Sequence, residues 1–329
     1  MEEFDIYKDI RERTDGNVYF GVVGPVRAGK STFIRSFMQK LVMPRMKDAP
    51  EKDRILDELP QSATGRTIMT TQPKFIPGEA VSVTLANGVD AGIRLVDCVG
   101  YMVDGAEGST DGDKPRMVRT PWNDGEIPFS EAADIGTRKV ISEHATIGIV
   151  VTTDGSISTE LPRAAYVPAE ERVVGELKEL GKPFVIVLNS SVPDDPETKK
   201  IAAAMSEKYG AQVLPLNVLE MGEDEILALF EAVLMEFPLR RVDFELSRWL
   251  RALPSDNSLI SSLLGVLREK CAGMSRMRDY KCLENVFDGS ADFSPIKVKN
   301  VSLGDGRLTF EVEASGDLFY KALSKECGM

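Results

Sequence analysis

Short apolar runs of strand length alternate along most of this chain with stretches whose apolar residues recur at helical spacing. The first run begins at Val18 and enters a glycine-bounded turn at Gly24. A helix is predicted from Lys30 to about residue 43, stopping before Pro44, because the residue ahead of a proline is pushed out of helical geometry. Further strands are predicted at Ala80 to Leu85 and Ile93 to Cys98, separated by the hairpin signal Asn87-Gly88. Three more fall at Ile147 to Thr153, Phe184 to Asn189 and Val213 to Leu216. Helical patterns lie at 129–145, with Phe129, Ala132, Ala133, Val140 and Ile141 on one face, and at Pro168 to Leu180, opened by the proline and closed by Gly181. Two others run from Glu197 to Tyr209 and from Glu223 to Phe237. Apolar strands alternating with amphipathic helices build a mostly parallel sheet with crossover helices, an α/β arrangement whose ligands sit at the carboxyl ends of the strands.

The ends of the chain depart from this rhythm. Residues 1–16 read as a short polar helix whose Phe4, Ile6 and Ile10 pack on the domain edge. Around 238–242 the alternation stops. A helical stretch holding Trp249, a longer one from Leu259 to Tyr280, strands at Ile296 to Leu303 and Leu308 to Ala314 joined through Gly304-Asp305-Gly306, and a helix from Leu318 read as a small α+β domain. The predicted domains are therefore 1–238 and 239–329. Two long polar stretches interrupt the first, 44–72, with one short helix at 51–58, and 101–129, rich in Gly, Asp and Pro. Loops of that length inside a compact domain are usually functional.

The turn after the first strand carries the strongest chemical signal. Gly24, Pro25, Val26, Arg27, Ala28, Gly29, Lys30 and Ser31 fill the pattern G-x-x-x-x-G-K-[ST], with a strand before and a helix, continuing through Thr32, after it. Successive backbone N–H groups wrap a phosphate only if the loop reaches unusual dihedral angles, which the glycines allow. Lys30 would reach the β- and γ-phosphates and Ser31 would offer its hydroxyl to Mg²⁺, while the helix adds the positive end of its dipole.

The strand IRLVDCVGY ends in Asp97, with Gly100 three residues on. An aspartate there holds Mg²⁺, and the glycine N–H can sense a γ-phosphate. Asp97 and Gly100 thus complete, with the loop, a GTPase-like (TRAFAC-type) P-loop NTPase site, and 44–72 and 101–129 occupy the places of two switches. No glutamine follows Gly100. Thr70 and Thr71 in the first switch are the candidates to bind Mg²⁺ and place the attacking water, and Arg27 and Arg66 are candidate phosphate-stabilising cations. A guanine clamp needs an aspartate after the fifth strand, but the chain reads Asn189-Ser190-Ser191-Val192 there, and valine cannot accept from the guanine N1–H and N2–H₂. ATP is the expected nucleotide; a rearranged guanine site using Asp194 or Asp195 is the alternative.

Composition narrows the rest. A net charge of −12 speaks against nucleic-acid binding and against simple attachment to anionic lipid. No run approaches 18 apolar residues, and the acidic start MEEFDIYKDI has neither part of a signal peptide, so a cytosolic protein is expected. Cys98, Cys271, Cys282 and Cys327 have no C-x-x-C spacing, and the single histidine, His144, sits near a helix end where packing and capping are the usual roles, so neither structural zinc nor disulfides are expected.

With these residues assembled, the chain resembles the stage IV sporulation protein A family of endospore-forming bacteria. The resemblance rests on GVVGPVRAGKSTFI, LPQSATGRTIMTTQPKFIP, IRLVDCVGY, PFSEAADIGTRKVISEHATIGIVVTTDG and EERVVGELKELGKPF, which span most of residues 1–240. It implies an ATPase on a GTPase-like domain, with Lys30 in Walker A, Asp97 in Walker B and Thr70 and Thr71 at a sensor-threonine position. It also implies hydrolysis-driven homopolymerisation into a shell around the forespore, in the mother-cell cytoplasm, with spore-coat and forespore-membrane-associated proteins as partners. Family members continue beyond this length with a further region that docks at the membrane and assists assembly, and that region is expected to lie outside this sequence. A GTP-binding regulatory switch and a non-hydrolysing scaffold are the alternative readings.

Overall fold

A computed structural model of the chain describes residues 17–45, 52–53, 56–57, 59, 73–84, 90–106, 108, 110–111, 114–157, 160–254, 256–302 and 306–327. The expected N-terminal helix, half of the expected helix at 51–58, the Asn87-Gly88 turn, Gly304-Asp305 and residues Arg66, Thr70 and Thr71 lie outside the described residues.

Chain contacts divide the molecule into two units, 1–233 and 234–329. The first is built on six strands, β1 (Asn17–Val23), β2 (Lys74–Thr84), β3 (Asp90–Asp97), β4 (Ile147–Thr153), β5 (Phe184–Asn189) and β6 (Val213–Leu216), in the order β6-β5-β4-β1-β3-β2. All neighbours are parallel except β2, which pairs antiparallel with β3 and shifts register between Ile76 and Val81. The strands of the middle of the sheet are largely apolar because both faces are covered: every residue of β4 and β5 is buried, including Thr152, Thr153 and Asn189 at their carboxyl ends.

Side-chain alternation along β1 separates the two faces. Phe20 packs edge-on to Phe230 at 4.7 Å, and Phe37 meets the same ring at 5.3 Å, so helices α1 (Lys30–Phe37) and α5 (Glu223–Met235) share one face. Val23 belongs to the opposite core, with Val96, Val150 and the inward sides of α2 (Phe129–Lys139), α3 (Arg163–Glu179) and α4 (Pro196–Tyr209). Burying these rings and aliphatic side chains at about 25 cal/mol per Å² is the main drive for the fold.

Several boundaries differ from the sequence reading for physical reasons. The run after Lys30 continues through a wide turn at Met38–Val42 to Arg45, carrying Pro44 in its last turn. Helix α3 starts five residues earlier than predicted and holds Pro168 inside it. Pro168 removes one backbone bond near the start of the helix. The face holding Tyr166, Ala169, Glu170, Val173 and Leu177 is buried nonetheless, and Arg163 in the first turn pairs with the buried Glu170 at 2.8 Å. The segment 101–129 is not simply irregular: it forms two small antiparallel pairs, one joining Met117–Arg119 to Glu126–Pro128. His144 closes the wide turn after α2, its ring 5.5 Å from Phe75.

In the second unit, β7 (Arg241–Leu246) runs parallel to β9 (Arg307–Val312), and β8 (Lys297–Ser302) antiparallel to it, in the order β7-β9-β8. Helices α6 (Arg248–Ala252), α7 (Ser258–Cys271), α8 (Lys281–Glu284) and α9 (Gly316–Cys327) accompany the sheet. Strand β7 was not expected, since its alternation RVDFEL is diluted by charge. The predicted long helix over 259–280 ends at Cys271, and a single tight turn at Met277–Tyr280 precedes α8. Phe244 stacks on Phe310 at 5.7 Å in this core, and the buried Glu236 is held by Arg278 at 2.6 Å and by Arg276.

Candidate functional site

The loop from Gly24 to Ser31 lies where β1 becomes α1, at the carboxyl edge of the parallel sheet. Gly24 sits at φ 137°, and a Cβ built on it would fall 2.2 Å from the carbonyl oxygen of Val151, so no larger residue fits against β4. Arg27 is left-handed, φ 61°, and it is the one non-glycine residue with positive φ among the described residues. Gly29, also left-handed, precedes α1, and no side chain caps the first turn of that helix. The N–H groups at the start of α1 are therefore available to an anion.

Lys30 is buried and donates from Nζ to Pro25 O at 2.6 Å and to Gly24 O at 3.3 Å. Register places Asp97 beside Val22 on the neighbouring strand, so the carboxylate stands next to the loop. Burial pulls the Lys30 ammonium below its usual range, against the opposing pull of Cys98 and Asp97. Cys98 is itself pushed up to about 11 by burial and is a neutral thiol at pH 7, its Sγ donating to Val22 O, so Asp97 is the charge that faces Lys30. Burial raises Asp97 to about 6, with Lys30 as the largest opposing influence.

The segment after Asp97 closes on the loop. Tyr101 donates its N–H to Gly24 O at 3.2 Å and accepts from Val26 N–H at 2.8 Å, a short parallel extension of the sheet. Gly100, φ 94°, lies so close that a Cβ there would stand 2.3 Å from both Gly24 O and Lys30 Nζ. Its N–H donates to Thr137 Oγ1 on α2. Tyr101 reaches the other way: its phenol donates to Glu176 on α3, and Arg172, paired with Asp134 on α2 at 2.7 Å, stacks over its ring at 3.9 Å. Thr137, Glu176 and Arg172 were not legible in the sequence, because nothing local marks a helix residue that meets a distant loop.

Asn189, at the end of β5, ties the loop to the far side of the sheet. Its Nδ2 donates to Ala28 O at 3.1 Å and its Oδ1 accepts from Val218 N–H at 3.3 Å. Beyond it, Ser190 is buried and Val192 is exposed. Asp195 caps α4 by accepting from Glu197 N–H at 2.8 Å, while Asp194, almost fully exposed, makes only a surface ion pair with Lys199 at 2.9 Å.

The donors present suit a divalent cation. Asp97 Oδ1 is buried with no hydrogen-bond partner among the described residues, and an orphaned carboxylate oxygen is costly unless something charged meets it. Among the described residues no group of three His, Cys, Asp or Glu side chains converges, so the ion would be of the kind held by one carboxylate, a hydroxyl such as that of Ser31, and phosphate oxygens. Thr70, the third expected ligand, falls outside the described residues, as does Thr71. No helix among the described residues is long and apolar enough to cross a membrane.

The family model for the ATPase domain of stage IV sporulation protein A matches residues 1–238, and that for its middle domain matches residues 239–329. Proteins called stage IV sporulation protein A from Clostridioides difficile (strain 630) and Bacillus subtilis (strain 168) are each 45% identical to the chain, over 98% and 100% of its length respectively. The chain spans 66% of the first and 67% of the second, about two thirds of these relatives. Among solved structures, SsGBP in complex with GDP overlaps 66% of this chain and 50% of its own, at 14% identity and a TM-score of 0.37. A probable GTP-binding protein, engB, overlaps 66% of this chain and 98% of its own, at 15% identity and a TM-score of 0.35. On the strength of the two family models and the full-length relatives, the chain belongs to the stage IV sporulation protein A family.

Proposed function

We propose that this chain binds Mg·ATP in the Gly24–Ser31 loop and hydrolyses it, and that turnover drives its assembly on itself as the base layer of the spore coat. The observation that carries the catalytic part is the buried pair at the loop: an ammonium on Lys30 and a carboxylate on Asp97 whose Oδ1 has no partner among the described residues. The family model's own description as an ATPase domain supports the same reading.

In it, Pro25, Val26, Arg27, Ala28 and Gly29 present their backbone to the phosphates, and Lys30 turns from the Pro25 and Gly24 carbonyls to the β- and γ-oxygens. Ser31, Asp97 and Thr70 would hold a magnesium ion, which would supply charge neutralisation on the phosphates. Thr32 continues the helix turn whose amides face the anion, Gly100 N–H senses the γ-phosphate, and Thr70 and Thr71 place the attacking water. The choice of ATP over GTP is supported by Val192, whose side chain offers no acceptor to guanine, and by Asp195, whose carboxylate caps α4.

Residues 1–238 then form the ATP-hydrolysing domain and 239–329 a separate middle domain. Assembly, a peripheral location on the forespore in the mother-cell cytoplasm, and contacts with spore-coat and forespore-membrane-associated proteins rest on family membership. The test is turnover of ATP and GTP side by side, with sedimentation before and after hydrolysis. Preference for ATP with Mg²⁺ and sedimenting polymer only after turnover is expected. Faster turnover of GTP would overturn the base assignment, and polymer formed equally without nucleotide would overturn the coupling.

A further inference from the structure

Arg27 is the residue of the loop whose backbone argues for a use of its side chain. Left-handed geometry is cheapest for glycine, yet an arginine occupies it, at φ 61°. Its side chain is mostly buried, 20% exposed, and its guanidinium donates to Glu160, whose carboxylate is 52% exposed. Glu160 is followed by Leu161, which packs on the segment after Gly100: a Cβ built on Gly105 would lie 3.2 Å from Leu161 Cδ2. The two charges therefore tie the phosphate loop to the neighbourhood of the second switch.

We propose that Arg27 supplies, from within the loop, the positive charge that stabilises the transferring γ-phosphoryl group, and that Glu160 holds its guanidinium in reserve. This rests on the reading of the site as one that binds ATP. In the step concerned, a water oxygen bonds to Pγ, the bond from Pγ to the β,γ-bridging oxygen breaks, its electron pair stays on ADP, and the water's proton leaves with phosphate or to solvent. Negative charge grows on the bridging oxygen, and Arg27 stands three residues before Lys30 in the same phosphate loop. A planar guanidinium binds phosphate oxygens by two parallel bonds, whereas a half-exposed carboxylate is a solvent-screened and weak competitor. Movement of the segment that Leu161 touches would carry Glu160 with it and free the arginine.

The test uses the full chain with Arg27→Gly, which suits the left-handed backbone, Arg27→Asn as a second variant that tolerates it, and Glu160→Gln. Binding of a fluorescent ATP analogue and steady-state ATP turnover are read in parallel. Both Arg27 variants are expected to bind within about threefold of wild type while kcat falls about a hundredfold or more, with partial recovery on adding guanidinium ion at non-denaturing concentration. Glu160→Gln is expected to keep or raise kcat. Unchanged kcat in the Arg27 variants, a loss of affinity that accounts for the whole effect, no recovery with guanidinium, or a fall of Glu160→Gln to the level of Arg27→Gly would each overturn the proposal. A wild-type chain that neither binds nor hydrolyses ATP would overturn the parent reading, and this one with it.

Discussion

Gly100 donates its backbone N–H to the hydroxyl of Thr137, 3.0 Å away on α2, and Thr137 is fully buried. One N–H cannot serve a γ-phosphate and this hydroxyl at once, so the two acceptors compete. If Gly100 meets the γ-phosphate as proposed, Thr137 is a rival of the nucleotide for the amide that the D-x-x-G turn presents.

Thr137→Val removes the rival while keeping the volume. The Gly100 amide then lacks an acceptor until a phosphate arrives, which destabilises the protein alone by about 1–3 kcal/mol. The bound form, where the phosphate takes the amide, is spared, so ATP affinity is expected to rise, about tenfold for each 1.4 kcal/mol. Thr137→Ser is expected to return both quantities to near wild type. Calorimetric titration with a non-hydrolysable ATP analogue and chemical denaturation without nucleotide decide it. Weaker binding in Thr137→Val would show that Gly100 does not face the phosphate.

Gly100→Ala acts on the same turn by volume. The added methyl would stand 2.3 Å from Gly24 O and Lys30 Nζ, and the residue would keep a left-handed φ of 94°. Lys30 can move and the Gly24 backbone cannot, so the turn must shift away from the loop. A loss of about 2–4 kcal/mol in stability is expected, together with loss of nucleotide binding. A variant that melts within a degree of wild type and binds ATP normally would show that the turn has room this geometry denies it.

The parts of the site that were legible in the sequence are those with fixed local spacing. The loop from Gly24 to Ser31 and the Asp97-to-Gly100 turn must present backbone groups at set intervals, so their glycines, lysine and carboxylate stand at readable positions. β4 and β5 were legible end to end because both faces of the sheet are covered there and the runs are almost entirely apolar, and β6, partly buried at the sheet edge, because its short run VLPL is apolar. What stayed hidden depends on distant contacts: Thr137 is 37 residues from Gly100 in sequence, and the partner of Tyr101, Glu176, is 75 residues away. Pro168 misled the start of α3 because proline penalties are local and weak beside the buried face that the helix carries. Strand β7 was obscured because a half-buried strand with arginine, aspartate and glutamate in it reads as a charged linker.

Asn189, the first residue of the Asn189-Ser190-Ser191-Val192 stretch, joins the Ala28 carbonyl to the Val218 amide. Asn189→Ala would leave the Ala28 carbonyl and the Val218 amide, both in buried surroundings, without their present partners. A loss of about 2 kcal/mol in stability and weaker ATP binding through a loosened loop are expected. Asn189→Asp should be worse, since the oxygen replacing Nδ2 would face Ala28 O. Denaturant melts of the two variants compare them directly; an aspartate variant as stable as wild type would mean that the amide does not bridge these loops.

If Asp97 holds the metal as proposed, its titration sets the pH dependence of the metal-assisted part of binding. Burial, acting against Lys30, the Cys98 backbone and Lys74, raises its carboxyl to about 6. A raised value means that the group is neutral below about pH 6 and offers a divalent cation its charge only above. The gain in ATP affinity on adding Mg²⁺ is therefore expected to be full above about pH 7 and to fall about tenfold per unit below 6, because a proton and the metal compete for one oxygen pair. Phosphate titrates in the same region, so the affinity curve in chelator supplies the nucleotide's own share, and only the difference between the two curves belongs to the protein. Asp97→Asn has no such carboxyl, and its difference curve should be small at every pH. If the wild-type difference stays level from pH 7.5 to pH 5, Asp97 is not the group that meets the metal, and the orphaned Oδ1 has some other partner.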